Sequence, residues 1–136
     1  MKRLFSTILL LSLFFMFTVP TAPTEITPYY DGVTSGAALL SISNLGVASC
    51  TATFDLRYSL VEADIEMQLF RFEASGWKEV KTWEEHFGPS SKRTLIMDKL
   101  YAVSENGIYM VRVIADIETS AGTDHLEPTS NRVEYY

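Results

Sequence analysis

Ala48, Cys50, Ala52, Phe54 and Leu56 alternate without a break with Ser49, Thr51, Thr53, Asp55 and Arg57. Extended chain sends successive side chains to opposite faces, whereas a helix would scatter this set around its circumference. The run therefore predicts an antiparallel strand with one face in a core and the other in water. The same texture recurs along the chain. Ala38, Leu40 and Ile42 alternate with Leu39, Ser41 and Ser43, and Asn44-Leu45-Gly46 ends the run. Ile65, Met67 and Leu69 form the apolar side of a third run. Glu73-Ala74-Ser75-Gly76 turns the chain and Trp77 to Trp83 returns, which reads as a hairpin. Gly88-Pro89-Ser90-Ser91 breaks the pattern before a short strand, Thr94 to Met97. After the Asn106-Gly107 turn, Ile108 to Asp116 places Tyr109, Val111, Val113 and Ala115 on one side. Thr119 to Thr123 turns through Gly122, and Arg132 to Tyr136 closes the chain. With about seven short strands and no sustained helical period, the expectation is an all-β, antiparallel sandwich of two sheets.

The N-terminus has a different character. Lys2 and Arg3 precede an almost wholly apolar stretch from Leu4 to Val19, and Pro20, Thr21 and Ala22 follow before polarity rises. A charged start, an apolar middle and a small-residue exit predict a secretory signal peptide over residues 1–22. The apolar stretch is short for a span of about 20 residues; retention as an uncleaved anchor is the alternative. Cleavage after Thr21 suits the small-residue rule better than cleavage after Ala22, which puts Pro20 and Pro23 around the cut. Residues 23–36 then read as a leader and 37–136 as the domain. Removing the two cations Lys2 and Arg3 takes the formal charge from −6 to −8. That balance argues against nucleic acid, which needs clustered Lys and Arg, and against an anionic membrane surface after cleavage. Cys50 is the only cysteine, so the domain must hold together by packing, in a setting where exported domains are usually cross-linked. This points to a Gram-positive surface or an anaerobic habitat.

Leu69 through Val80, with a Gly-containing turn before Trp77-Lys78-Glu79-Val80, and the run Tyr109-Met110-Val111-Arg112-Val113-Ile114-Ala115 resemble the fibronectin type III and related immunoglobulin-like domains. Val103, six residues before Tyr109, stands where such domains often place Leu. Glu105 and Gly107 depart from the usual Pro and Thr, a change that bears on the hydrogen bond closing a tyrosine corner. The whole chain is also similar to a group of small exported Gram-positive bacterial proteins of unknown function. The shared features are Ile26-Thr27-Pro28-Tyr29-Tyr30, Ala38 to Ile42, Ala48 to Cys50 and Gly76 to Trp83. The resemblance implies an immunoglobulin-like sandwich and export to the cell surface or medium; it implies no activity.

Catalytic chemistry is sparse. His86 and His125 are the two histidines, and no G-x-S-x-G motif is present. Ser90 and Ser91 lie near His86 in a turn, with no evident acid to orient the imidazole. Glu84 and Glu85 are adjacent on a strand and so point to opposite faces, which excludes them as a glycosidase pair with each other. Asp116, Glu118, Asp124 and Glu127 gather around one turn and offer hard oxygen ligands for Ca²⁺, but their spacing matches no known loop. The expectation is therefore no cofactor and no catalytic residue. Cys50 reads as a small core residue rather than a reactive thiol.

The hairpin supplies the candidate contact surface. With an even loop, Phe72 pairs with Trp77, Phe70 with Glu79 and Glu66 with Trp83, which puts Phe70, Phe72, Trp77 and Trp83 on an outward face while Leu69 and Val80 face the core. An odd loop would send Trp77 and Trp83 inward instead. Agreement of Ile65, Met67, Leu69 and Val80 favours the even loop. An aromatic patch with a polar rim can hold a protein partner or a glycan. The sequence thus points to an exported, non-catalytic interaction module in adhesion, scaffolding or recognition; a small secreted enzyme or inhibitor is the alternative.

Overall fold

The computed structural model describes residues 30–136. The expected signal peptide and the first part of the leader lie outside the described residues. The described chain forms β1 (Val33–Ile42), β2 (Val47–Leu56), β3 (Leu60–Glu73), β4 (Gly76–Phe87), β5 (Thr94–Ala102), β6 (Gly107–Thr119), β7 (Gly122–Leu126) and β8 (Val133–Tyr135). All pairings are antiparallel. One sheet has the order β1-β2-β5. The other has the order β4-β3-β6-β7, with β8 also on β6. The connections from β2 to β3, from β4 to β5 and from β5 to β6 cross between sheets, so the two sheets close into a sandwich.

The core follows from the alternation. On β2, Ala48, Cys50, Ala52 and Phe54 are fully buried. They face Ala63, Ile65, Met67 and Leu69 of β3 and Tyr109, Val111, Val113, Ala115 and Ile117 of β6 in one cluster. β2 and the β3–β6 pair sit at the centres of their sheets, where both neighbours exclude water. Each large side chain buried there contributes about 1.5–3 kcal/mol. A core with Leu40, Leu56, Leu60, Leu95, Met97 and Leu126 added to those strands outweighs the about 2–5 kcal/mol that a disulfide would supply.

The strands are longer than the sequence texture indicates. β1 takes in Val33 to Gly36, read above as leader, because Gly36 interrupts the apolar alternation without interrupting the pairing: it lies opposite Phe54. A β-carbon there would stand 2.9 Å from the Phe54 ring, so glycine is what lets β1 pass. The turn expected at Thr119 to Thr123 shrinks to its tip, and β7 pairs with β6 from Gly122 onward. β7 and β8 are two halves of one final strand, broken around Pro128. Proline has no N–H to give a ladder; its carbonyl instead accepts from Val113 N at 2.9 Å, and Ser130 Oγ accepts from Val111 N at 2.7 Å. At the start of β6 the corner bond forms despite the substitutions at Glu105 and Gly107. The Tyr109 hydroxyl donates to the Glu105 carbonyl at 2.5 Å. Gly107 takes φ +152°, a conformation that an L side chain rarely adopts, where the chain enters β6.

Candidate functional site

The register of the second sheet decides what its outer face carries. Near the turn, Phe72 lies opposite Trp77 and Phe70 opposite Glu79, as the even loop predicts; Glu73 also pairs with Gly76, which leaves Ala74-Ser75 as the turn itself. The register then shifts between Phe70 and Leu69, and Leu69 faces Lys81. One extra residue on β4, Val80, makes a bulge, and beyond it the parity of β4 is reversed. Trp83 consequently lies opposite Met67, not Glu66. It packs against the core together with Val80 and meets Tyr101 edge-on at 6.3 Å. The expected outward set is thus corrected: Phe70, Phe72 and Trp77 share the outer face, and Trp83 belongs to the inner one. The cause is that Val80 and Trp83, three positions apart, both gain by facing the core. A regular strand cannot satisfy both; a bulge can.

The outward aromatics form a built cluster. Phe72 is 52% exposed and meets Trp77 at a centroid distance of 5.2 Å and an interplanar angle of 65°. The Arg132 guanidinium covers the Trp77 ring at 5.4 Å. Met110 lies opposite Phe70 on the neighbouring strand. Arg132 and Met110 were not visible as members in the sequence, since both arrive through long-range register: Arg132 directly precedes β8, whose pairing to β6 brings it onto this face. Next to the aromatics, Gln68 Oε1 is buried without a hydrogen-bond partner among the described residues. An edge-to-face pair roofed by a guanidinium is a raised knob of rings, not a flat stacking platform.

The far end of the same face is polar. His86 pairs with Asp64, Asp64 with Asp116, and Asp116 with His125, so four strands contribute one straight row. His86 Nδ1 lies 2.7 Å from Asp64 Oδ1 and His125 Nδ1 2.6 Å from Asp116 Oδ1. The carboxylates raise both imidazoles above the ordinary 6.5, the hydrogen bond being the main cause in each. The acid missing from the sequence reading of His86 is therefore Asp64, 22 residues away in the chain. A shallow depression of about 500 Å³ beside His86 is walled by Asp64, Glu66, Glu84, Glu85 and Asp116. Its remaining lining residues, Ile65 and Ile114, offer no nucleophile.

The expected carboxylate cluster around the β6–β7 turn converges only in part: Asp116 and Glu127 flank His125, at 2.6 and 3.5 Å from its two ring nitrogens, and Glu127 also takes Arg112 at 3.1 Å. Asp124 pairs with Ile117 on the opposite face and accepts from Gly32 N at 3.0 Å. Among the described residues, no three His, Cys, Asp or Glu are placed to share a metal ion. Cys50 is fully buried, and burial pushes its thiol up to about 11, far from the thiolate a nucleophile needs. No protein-family model and no curated protein matches the chain.

Proposed function

We propose that the protein is an exported, non-catalytic interaction module of immunoglobulin-like type, acting at the cell surface or in the medium. The immunoglobulin-like assignment is supported by the strand order, first, second and fifth strands on one sheet against fourth, third, sixth and last on the other, and by the Tyr109 corner bond. Export is supported by the pattern of residues 1–22.

The observation that carries the binding role is the Phe72–Trp77 pair on the outward face, with Phe72 half in water. Exposed aromatic rings with polar neighbours are the kind of residue that dominates protein contacts. Arg132 already occupies a face of Trp77, which removes the flat surface a sugar ring would stack on, so a protein partner fits better than a glycan. Capture experiments with the exported protein, against surface-protein extract in one arm and cell-wall glycan in the other, test this. Retention should appear in the protein arm and vanish in Phe72→Ala and Trp77→Ala; retention unchanged by both variants would overturn the reading.

The second reading, a small secreted enzyme, draws on the Asp64–His86 pair beside the acidic depression. It requires that His86→Ala abolish a measurable hydrolysis while leaving capture intact.

A further inference from the structure

The two sheets part along one side, between the end of β4 and the start of β5. The gap there has a volume of about 610 Å³, within the range of about 300–1,000 Å³ typical of small-molecule sites. Its floor is Leu56, Leu60 and Leu95, each at the edge of the core, and its walls are Phe87 and the half-exposed Ile96. Lys92 and Arg93 stand at its rim.

The rim is basic on an acidic protein. Arg71, Lys78, Lys99 and Arg112 all sit in ion pairs. Lys92, Arg93 and the nearby Arg57, like Lys81 and Arg132 elsewhere, have no carboxylate partner among the described residues. The nearest acid by register is Asp55, opposite Thr94, and its oxygens accept from the Ser35 and Thr94 hydroxyls instead. Arg93 is held in place: its Nη1 donates to the Arg57 carbonyl at 2.7 Å, and its own carbonyl accepts from Leu56 N at 2.7 Å. That leaves its other guanidinium N–H groups without a protein acceptor among the described residues. The loop itself is pinned by paired backbone bonds between Leu60 and Ser90, each 3.1 Å, and by Lys92 N donating to Ser90 Oγ. The result is a preformed apolar slot with two cations at its mouth that meet no carboxylate among the described residues.

From this arrangement we infer that the slot binds a small apolar carboxylate, with the alkyl or aryl body on Leu56, Leu60 and Leu95 and the carboxylate on Arg93 and Lys92. Burial of the chain supplies affinity, and the cations select the head group, because charge-assisted bonds to a guanidinium are the stronger and more directional kind. The site is separate from the aromatic patch and does not depend on it.

Titration calorimetry of decanoate into the purified exported protein, below micelle-forming concentration and at low salt, tests the inference. Saturable binding is expected for decanoate and none for acetate or decyltrimethylammonium, which lack the body and the negative charge respectively. Lys92→Glu, an exposed change, should weaken decanoate at least about tenfold, in line with loss of one charge-assisted contact, and Ile96→Asp should do the same from the apolar side. Phe72→Ala should leave decanoate binding unchanged even where it abolishes partner capture. Arg93→Glu is a stronger version of the test, but that residue also braces the loop; should it unfold, Lys92→Glu and the cationic probe decide. Equal binding of decyltrimethylammonium, full retention of decanoate by Lys92→Glu, or no saturable decanoate binding would each overturn the inference.

Discussion

Replacing Trp83 by alanine, with Trp77→Ala as its companion, measures the consequence of the bulge at Val80. A fully buried aromatic costs about 3–5 kcal/mol when truncated. Trp83 is half-buried, lies opposite the fully buried Met67 and packs on the core, so about half of that range applies. The edge-on contact with Tyr101 at 6.3 Å adds about 0.5–1.5 kcal/mol, which brings the expected loss to about 2–4 kcal/mol. Trp77 is half-buried as well, but it lies on the outer face away from the core cluster; it loses its pair with Phe72 and the Arg132 cap, and about 1–2.5 kcal/mol is expected. Urea titration with near-ultraviolet circular dichroism gives both numbers, and unchanged m-values would show that the folded and unfolded states stay comparable. Trp83→Ala must be the more destabilising. If Trp77→Ala costs as much or more, the parity reversal across Val80 is wrong, and with it the separation of the two tryptophans.

Three further outcomes follow from the geometry. Cys50 should react with a thiol reagent in native protein far more slowly than in denaturant, and Cys50→Ser should cost about 1–3 kcal/mol by placing a hydroxyl in an apolar site; labelling at the denatured rate would contradict its burial. Tyr109→Phe should cost about 0.5–1.5 kcal/mol, the net worth of the bond to Glu105, and a silent mutant by chemical denaturation would mean the corner is not under load. His86 and His125 should both titrate above 6.5 by NMR. Because the folded values are raised, the pairs' contribution to stability is complete below about pH 6.5 and is lost as pH rises through the folded values. Asp64→Asn should lower the His86 midpoint and leave that of His125 nearly where it was; equal movement of both would mean the two pairs act as one unit.

Much of the sandwich can be read from local pattern, because each strand reports its own faces. Alternation at Ala48 to Leu56 and at Tyr109 to Ala115 predicts the buried sides residue for residue. The pattern loses its voice wherever glycine or charge occupies an inward position: β1 begins before Gly36, and β4 continues past Glu85, which faces inward at the sheet edge and pairs with Lys99 across the gap at 3.3 Å. Of the aromatic patch, Phe70, Phe72 and Trp77 were legible from the even turn. Arg132 and Met110 were not, because nothing near them in the chain marks the strands they meet.

The sequence alone determined the strand class, the two buried faces at the centre of the sandwich and the inward place of Cys50, since a period of two residues is a local property of extended chain. Tertiary structure decided the rest. A single bulge at Val80 turned Trp83 inward while leaving Trp77 outside, because one additional residue reverses every side chain beyond it. The same dependence on register joined His86, Asp64, Asp116 and His125 into one row, and turned Asp124 to the face opposite Asp116. Which residues meet across strands is set by pairing between distant segments, and the free energy that fixes that pairing is gained only when the two sheets close over their common core.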